Sequence, residues 1–249
     1  MIIRKSADEI AKMREAGKVV NLVLREVQAG SRPGVTTLDL DRIAADIIRD
    51  NGCKPSFLHY RGTFPAVICT SPNDAIVHGI PGNYRLKDGD ILAVDAGAIY
   101  EGYQADAAVT YPIGEVPEKT ATLIRVTEAA LHAGIAQAVH GNRLSDISHA
   151  VELVARPHGY GIVREYVGHG IGQLMHEDPQ IPNYGPPGKG PRIKEGMCFA
   201  IEPMFNMGSW ETRAMPDGWT VRTRDGSLSA HFEHTVAVTD AAPEILTLP

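Results

Sequence analysis

The chain has 249 residues, 43% of them apolar and 22% charged, with a net charge of −6 at pH 7; that suits a globular protein able to bury a large core. The acidic balance and the lack of any dense Lys/Arg run argue against nucleic-acid binding as the main role. No segment approaches membrane-spanning length, the start Met1-Ile2-Ile3-Arg4-Lys5-Ser6 lacks the apolar core of a secretory signal, and Cys53, Cys69 and Cys198 show no CxxC spacing, so a reducing cytoplasm is the expected compartment.

In chain order, Ser6-Ala7-Asp8-Glu9 reads as a capping box. Ile10, Met13, Ala16, Val20, Val23, Leu24 and Val27 follow at helical spacing, and Gly30-Ser31-Arg32-Pro33-Gly34 ends the helix. A second helix is expected from about Thr37 to Asn51-Gly52. Strands and turns dominate from Phe64 to Pro112, with a hairpin turning near Tyr100-Glu101-Gly102. Two further helices are expected, about Glu118 to His140 and Ser145 to Gly159, and the remainder is strand-rich. The Pro/Gly-rich stretch Asp178 to Pro191 reads as a long loop, either shaping the mouth of a site or connecting elements over the surface.

The two halves echo each other at an offset of 107 residues: Gly34 and Gly141, Asp39 and Asp146, Gly52 and Gly159, Lys87 and Lys194, Gly89 and Gly196. With two helices preceding strands in each half, duplication is the better explanation than chance. The expected architecture is one catalytic domain over 1–249, of class α+β, with halves of about 1–115 and 116–249, strands inside and helices outside.

At the same offset Asp95 falls on Glu202. Both belong to a set of five residues, Asp95, Asp106, His169, Glu202 and Glu233, each in a segment nearly free of other charge. Ile91-Leu92-Ala93-Val94, Cys198-Phe199-Ala200-Ile201 and Thr235-Val236-Ala237-Val238 read as buried strands beside three of these acids. The hairpin places Asp95 and Asp106 on neighbouring strands, about one rung apart on one face. An ionised carboxylate in such a strand costs several kcal/mol unless a cation or hydrogen bonds meet it, and these segments contain no Lys or Arg. Four carboxylates with one imidazole form a hard, oxygen-rich set that suits a pair of divalent metals. The Gly168-His169-Gly170 setting is expected to leave the imidazole exposed. Gly168, Gly170 and Gly172 have no strand–turn–helix phosphate unit around them, which excludes a nucleotide site, and Cys69 and Cys198 read as small buried hydrophobes.

The strings Val77-His78-Gly79-Ile80-Pro81, Asp90-Ile91-Leu92-Ala93-Val94-Asp95, Gly168-His169-Gly170-Ile171-Gly172, His176-Glu177-Asp178-Pro179, Ile201-Glu202-Pro203-Met204 and Phe232-Glu233-His234-Thr235 resemble those of the type I methionine aminopeptidases. Asp217-Gly218-Trp219-Thr220 and Leu228-Ser229-Ala230 add to a likeness that covers nearly the whole chain. The resemblance implies the pita-bread fold and removal of the initiator methionine from new polypeptides whose second residue is small. It implies two divalent ions (Co, Mn, Fe or Zn), Asp95 chelating one, His169 and Glu202 binding the other, and Asp106 and Glu233 bridging both. Such a pair, roughly 3.5–4 Å apart, lowers the pKa of a shared water and polarises a carbonyl. The resemblance further implies His176 as the oxyanion donor, His78 near the scissile nitrogen, Glu202 as acceptor of the water proton, and a monovalent cation near Asn73 and Ser229.

For the methionine side chain the resemblance points to Phe57, Tyr60, Phe64, Cys69 and Trp219. The chain departs from the family pattern in the one-residue-longer stretch Tyr60-Arg61-Gly62-Thr63-Phe64-Pro65, in Phe57 where Cys is common, in Phe64 where Tyr is frequent and in Met175 where Phe is common. A monomer acting on nascent-chain N-termini, with the ribosome as a partner, is the family expectation. The rival enzyme class is a proline-directed peptidase of the same fold, whose chains usually carry a large extra N-terminal domain; the rival outside catalysis is a partner-binding pita-bread protein that has lost its metals.

Overall fold

The first helix begins where the Ser6 hydroxyl accepts the Glu9 N–H and the Glu9 carboxylate accepts the Ser6 N–H; this reciprocal cap satisfies two donors that a helix start leaves orphaned. The computed structural model describes residues 1–248, so Pro249, the last residue of the expected 1–249 unit, lies outside the described residues. Helix α1 (Ala7–Gly30) leads to α2 (Thr37–Asp50), capped in the same way by Thr36 and Asp39. Strands β1 (Lys54–Pro55), β2 (Ile68–Pro72), β3 (Ala75–Val77), β4 (Ile91–Tyr100) and β5 (Tyr103–Pro112) follow. Helices α3 (Glu118–Ile135) and α4 (Leu144–Ala155) come next, then β6 (Gly161–Ile162), β7 (Gly168–Gly170), β8 (Glu177–Ile181), β9 (Cys198–Ile201), β10 (Met204–Asn206), β11 (Thr212–Ala214), β12 (Val221–Thr223), β13 (Ser229–His231), β14 (Glu233–Ala237) and β15 (Glu244–Ile245).

The chain therefore folds as the expected α+β class. A nine-stranded sheet runs β1-β4-β5-β14-β9-β7-β8, with β2 also on β4 and β15 also on β14. All its described pairings are antiparallel. Helices α1 and α2 pack with β4 and β5 around a core that includes Val20, Val23, Leu40, Leu92, Val94 and Ala107. Helices α3 and α4 pack around a second core that includes Leu131, Ile147, Val151, Phe199, Ile201 and Val236. No described helix is long and apolar enough to cross a membrane.

Features at the 107-residue offset recur as geometry. Thr36 and Arg85 form an isolated bridge, as do Arg143 and Arg192. The Arg85 and Arg192 guanidiniums donate to the carbonyls of Gly34 and Gly141 respectively.

Two boundaries differ from the sequence expectation. The third helix stops at Ile135 rather than His140, because Gln137 and Ala138 donate to Gly134 and Ile135, three residues back, and tighten the chain out of α geometry. The fourth ends at Ala155, because the Pro157 ring has no N–H and Arg156–His158 winds as a 3₁₀ turn up to Gly159 at φ 67°. The expected loop from Asp178 also begins as sheet: Glu177–Ile181 pairs with β7, and Gln180 lies opposite His169. A polar, proline-bearing edge strand carries no alternation that sequence reading would detect.

The register of the central strands sets the site. Glu101 and Gly102, both at positive φ, turn the β4–β5 hairpin tightly, with Tyr100 opposite Tyr103. Asp95 then faces Ala108 and Asp106 faces Gly97, so the two aspartates are diagonal neighbours on one face. Glu233 faces Ala108 from the other side of β5, and His234 faces Ile201 on β9. The Thr235 hydroxyl accepts the Asp106 N–H and donates to the Asp106 carbonyl, both at 2.8 Å. Replacing it as Thr235→Val keeps the shape but strands a buried N–H, which costs about 1–3 kcal/mol; thermal unfolding of the metal-free protein is expected to show that loss, and an unchanged midpoint would contradict the role given to this hydroxyl.

Candidate functional site

One cavity of about 260 Å³ opens over the central sheet, and every side chain singled out above for catalysis, metal or substrate lines it. Its floor carries Asp95 and Asp106 from the β4–β5 hairpin, His169 from β7, Glu202 just past the end of β9 and Glu233 at the start of β14. Glu202 leaves the strand because Pro203 follows; Asn183 holds it there by donating to the Glu202 carbonyl at 3.0 Å.

The His169 ring is buried, against the expectation that its glycine neighbours would expose it. The glycines serve close approach instead: a Cβ on Gly168 would lie 2.5 Å from the Ala200 carbonyl oxygen, and one on Gly170 would lie 2.1 Å from that of Asp178. His169 Nδ1 lies 2.9 Å from the Gly170 carbonyl oxygen, which can only accept. In the neutral ring that places the proton on Nδ1 and leaves the Nε2 lone pair facing Glu202 Oε1 at 3.4 Å. Two acceptors at that spacing repel unless a cation or a proton stands between them.

The rest of the floor poses the same problem. Asp95 Oδ1, Asp106 Oδ1 and Glu233 Oε1 are enclosed and have no hydrogen-bond partner. The donor atoms of Asp106, His169 and Glu233 lie within 4.8 Å of one another, and so do those of Glu202, His231 and Glu233. Glu233 belongs to both groups. Asp95 belongs to neither but lines the same cavity beside Asp106. Converging carboxylate and imidazole donors with unmet valence fit divalent ions held by oxygen and nitrogen.

Burial drives the protonation of this cluster. It pushes the Asp95 carboxyl up to about 7. Asp106, Glu202 and Glu233 are also raised well above the carboxylate range, by burial first and then by the neighbouring acids. Burial pulls His169 down to about 3 and His78 to about 4, with the His176 ring adding to both. His176 is lowered by burial and then by Arg61.

Above the floor an aromatic box closes the cavity. Phe64 meets Trp219 edge-on at 5.2 Å and Phe57 at 6.4 Å. Tyr60 tilts against Trp219 at 6.4 Å, and its hydroxyl lies 2.7 Å from His176 Nδ1. Cys69, opposite Asp95 on β2, and Met175 complete the apolar lining. Such a wall suits an unbranched, polarisable side chain. The His176 ring lies tilted against His169, with centroids 4.2 Å apart, tying the box to the floor. His78 follows β3 at φ 59°, a left-handed conformation that turns its ring against Tyr166 and Trp219.

Sequence reasoning missed three contributors. His231 sits two residues before Glu233, at the end of β13, and its ring reaches Glu202 and Glu233. Tyr166 lines the cavity beside His78. Lys5 pairs with Glu177 at 2.5 Å, both side chains almost fully buried, and so ties the N-terminal segment to the residue after His176; only the fold brings positions so distant in sequence together.

Comparison with known proteins gives a consistent picture. The family model described as "Metallopeptidase family M24" matches residues 11–240. A methionine aminopeptidase of Clostridium acetobutylicum is 53% identical over 249 residues, covering 100% of this chain and 99% of that protein. Methionine aminopeptidase 1 of Bacillus subtilis is 50% identical and covers 99% of each chain. The crystal structure of a Thermotoga maritima methionine aminopeptidase superposes with a TM-score of 0.98 at 45% identity, covering 100% of both chains.

Raised carboxyl pKa values mean that the metal-free cluster holds protons at neutral pH, and a divalent ion must displace them. Affinity should therefore rise with pH, and binding at pH 7 should release protons. Calorimetry in buffers of different ionisation enthalpy is expected to show that release; a binding heat independent of the buffer would contradict it.

Proposed function

The chain belongs to metallopeptidase family M24, and with that as premise we propose that it is a metal-dependent methionyl aminopeptidase, removing the initiator methionine from nascent polypeptides whose second residue is small. The observation that carries this reading is the meeting, in one cavity of about 260 Å³, of partnerless carboxylate oxygens and a free His169 Nε2 beneath an aromatic box.

In this reading Asp95, Asp106, His169, Glu202 and Glu233 would hold two divalent ions, drawn from cobalt, manganese, iron and zinc, and Asp106 and Glu233 would be the ligands common to both. Glu233's membership of both donor groups supports the sharing. The chemistry that divalent ions bring to such a site is polarisation of the scissile carbonyl and acidification of water. Glu202 accepts the proton of the attacking water in this reading, from its place on the cavity floor beside His169. The Tyr60 hydroxyl lies 2.7 Å from His176 Nδ1; with that hydroxyl as donor, the His176 proton sits on Nε2, free to donate to the oxyanion as the carbonyl becomes tetrahedral. His78, neutral at pH 7, hydrogen-bonds the scissile nitrogen from the opposite wall.

Phe57, Tyr60, Phe64, Cys69 and Trp219 enclose the methionine side chain. The thioether meets ring edges and a thiol rather than charge, and burial keeps Cys69 a thiol. A monovalent cation is placed among backbone carbonyls near Asn73 and Ser229, segments tied by the Ser229 N–H donating to the Asn73 carbonyl at 2.9 Å. The same reading makes the protein a cytoplasmic monomer that meets its substrates at the ribosome. It also makes the chain one catalytic unit of two repeated halves, 1–115 and 116–249, which the paired Thr36–Arg85 and Arg143–Arg192 bridges support.

The test is turnover of Met-Ala-Ser against an Xaa-Pro peptide by the metal-loaded protein. Cleavage of the first alone is expected, and cleavage of the second alone would overturn the assignment. His176→Ala is expected to lower kcat about 10²–10³-fold, as loss of an oxyanion donor does; unchanged turnover would remove that role from His176.

A further inference from the structure

Glu202 stands between two imidazoles, although the sequence pattern provides one. His169 Nε2 lies 3.4 Å from its Oε1, and His231 Nε2 lies 3.7 Å from its Oε2. His231 Nε2 also lies 3.9 Å from Glu233 Oε2. The residue is 2% exposed, and its Nε2 has no hydrogen-bond partner. A buried polar nitrogen without a partner costs roughly 1–3 kcal/mol unless something absent from the protein chain meets it.

The two distances discriminate between the ways of meeting it. Both exceed the span of about 2.7–3.2 Å for an N–H···O bond. Donors each about 2.1 Å from one ion are about 3.0 Å apart at right angles and about 4.2 Å apart when opposite. The separations of His231 from Glu202 and Glu233 fall inside that window. The backbone also holds the ring in place: the Thr110 hydroxyl donates to the His231 carbonyl at 2.7 Å and accepts the His231 N–H at 2.9 Å. The same reciprocal arrangement joins Thr235 to Asp106 on the other side of Glu233.

We infer that His231 is a sixth donor of the metal centre, supplying a second imidazole to the ion held by Glu202 and Glu233. The inference rests on the divalent-metal reading above and goes beyond its five residues. A second nitrogen in place of water or carboxylate softens the site and shifts its preference from manganese toward iron, cobalt and zinc.

The test uses the full-length protein with cobalt as the probe. Crystals of the cobalt-loaded wild type are expected to show an anomalous peak within about 2.3 Å of His231 Nε2. In solution, His231→Gln is expected to weaken binding of one cobalt ion at least about tenfold, with unfolding of the metal-free protein followed alongside. His231→Asn serves as the second variant should the first fail to fold. Cobalt bound by Asp106, His169 and Glu233 with His231 more than 3 Å away would overturn the sixth-donor assignment and leave the five-residue reading intact. So would an unchanged affinity in a folded variant. Failure of the wild type to bind cobalt at all would overturn both.

Discussion

Four carboxylates held in one enclosed cluster, with imidazoles as their only ion-pair neighbours among the described residues, are the constraint on which this structure turns. Charges removed from water cost several kcal/mol each, and like charges at this spacing add to the cost. Protons relieve it in part, as the raised carboxyl pKa values reflect. Divalent ions would relieve it more completely, because each brings two charges and several coordination positions to oxygens that have no other partner. Elsewhere the chain pairs acids with Lys or Arg readily, as in Arg14–Glu244 and Lys5–Glu177. Keeping such cations off the cavity floor leaves the site open to a metal.

The fold makes that concentration of charge tolerable by fixing it on paired strands of the central sheet. The donors sit on β4, β5, β7 and β14 and just past β9, in the interior of the nine-stranded sheet. Two aspartates come from the hairpin packed under α1, and two glutamates with His169 come from residues after α4. The seam where β5 pairs with β14 joins the two cores and sets Glu233 opposite Ala108, diagonal to Asp106. The aromatic box, by contrast, rests on the segment around Tyr60 and on Trp219, outside the sheet interior. Charged donors thus lie on the sheet below and an apolar, aromatic wall stands above them.

Much of this was legible in the residues. The runs around Asp95 and Glu233 read as buried strands because they are short, apolar and bounded by turn residues, and the Glu101-Gly102 turn fixes the register of Asp95 against Asp106. The helix starts were legible because capping residues act locally. The end of α3 was not, since Gly134, Ala136 and Ala138 give no stop signal and the tightening to 3₁₀ geometry comes from how the turn packs. Strand β8 was hidden because polar Glu177, Asp178 and Gln180 pair on an edge, where hydrophobic pattern is silent. His231 was overlooked for another reason: Phe232 between it and Glu233 looked like one apolar strand position, and only the placement of Glu202 from a distant strand shows what the ring faces. The Gly168-His169-Gly170 string was misread in its physical reason, since the glycines admit neighbouring backbone rather than water.

The claim that ions, rather than buried protons, complete the cluster is most directly tested by counting them. After equilibrium dialysis of the stripped chain against a low concentration of one divalent metal at neutral pH, elemental analysis should find two ions per chain in the wild type and fewer in Glu233→Ala. A folded wild-type chain that retains no ion under those conditions, yet still cleaves Met-Ala-Ser, would contradict the account.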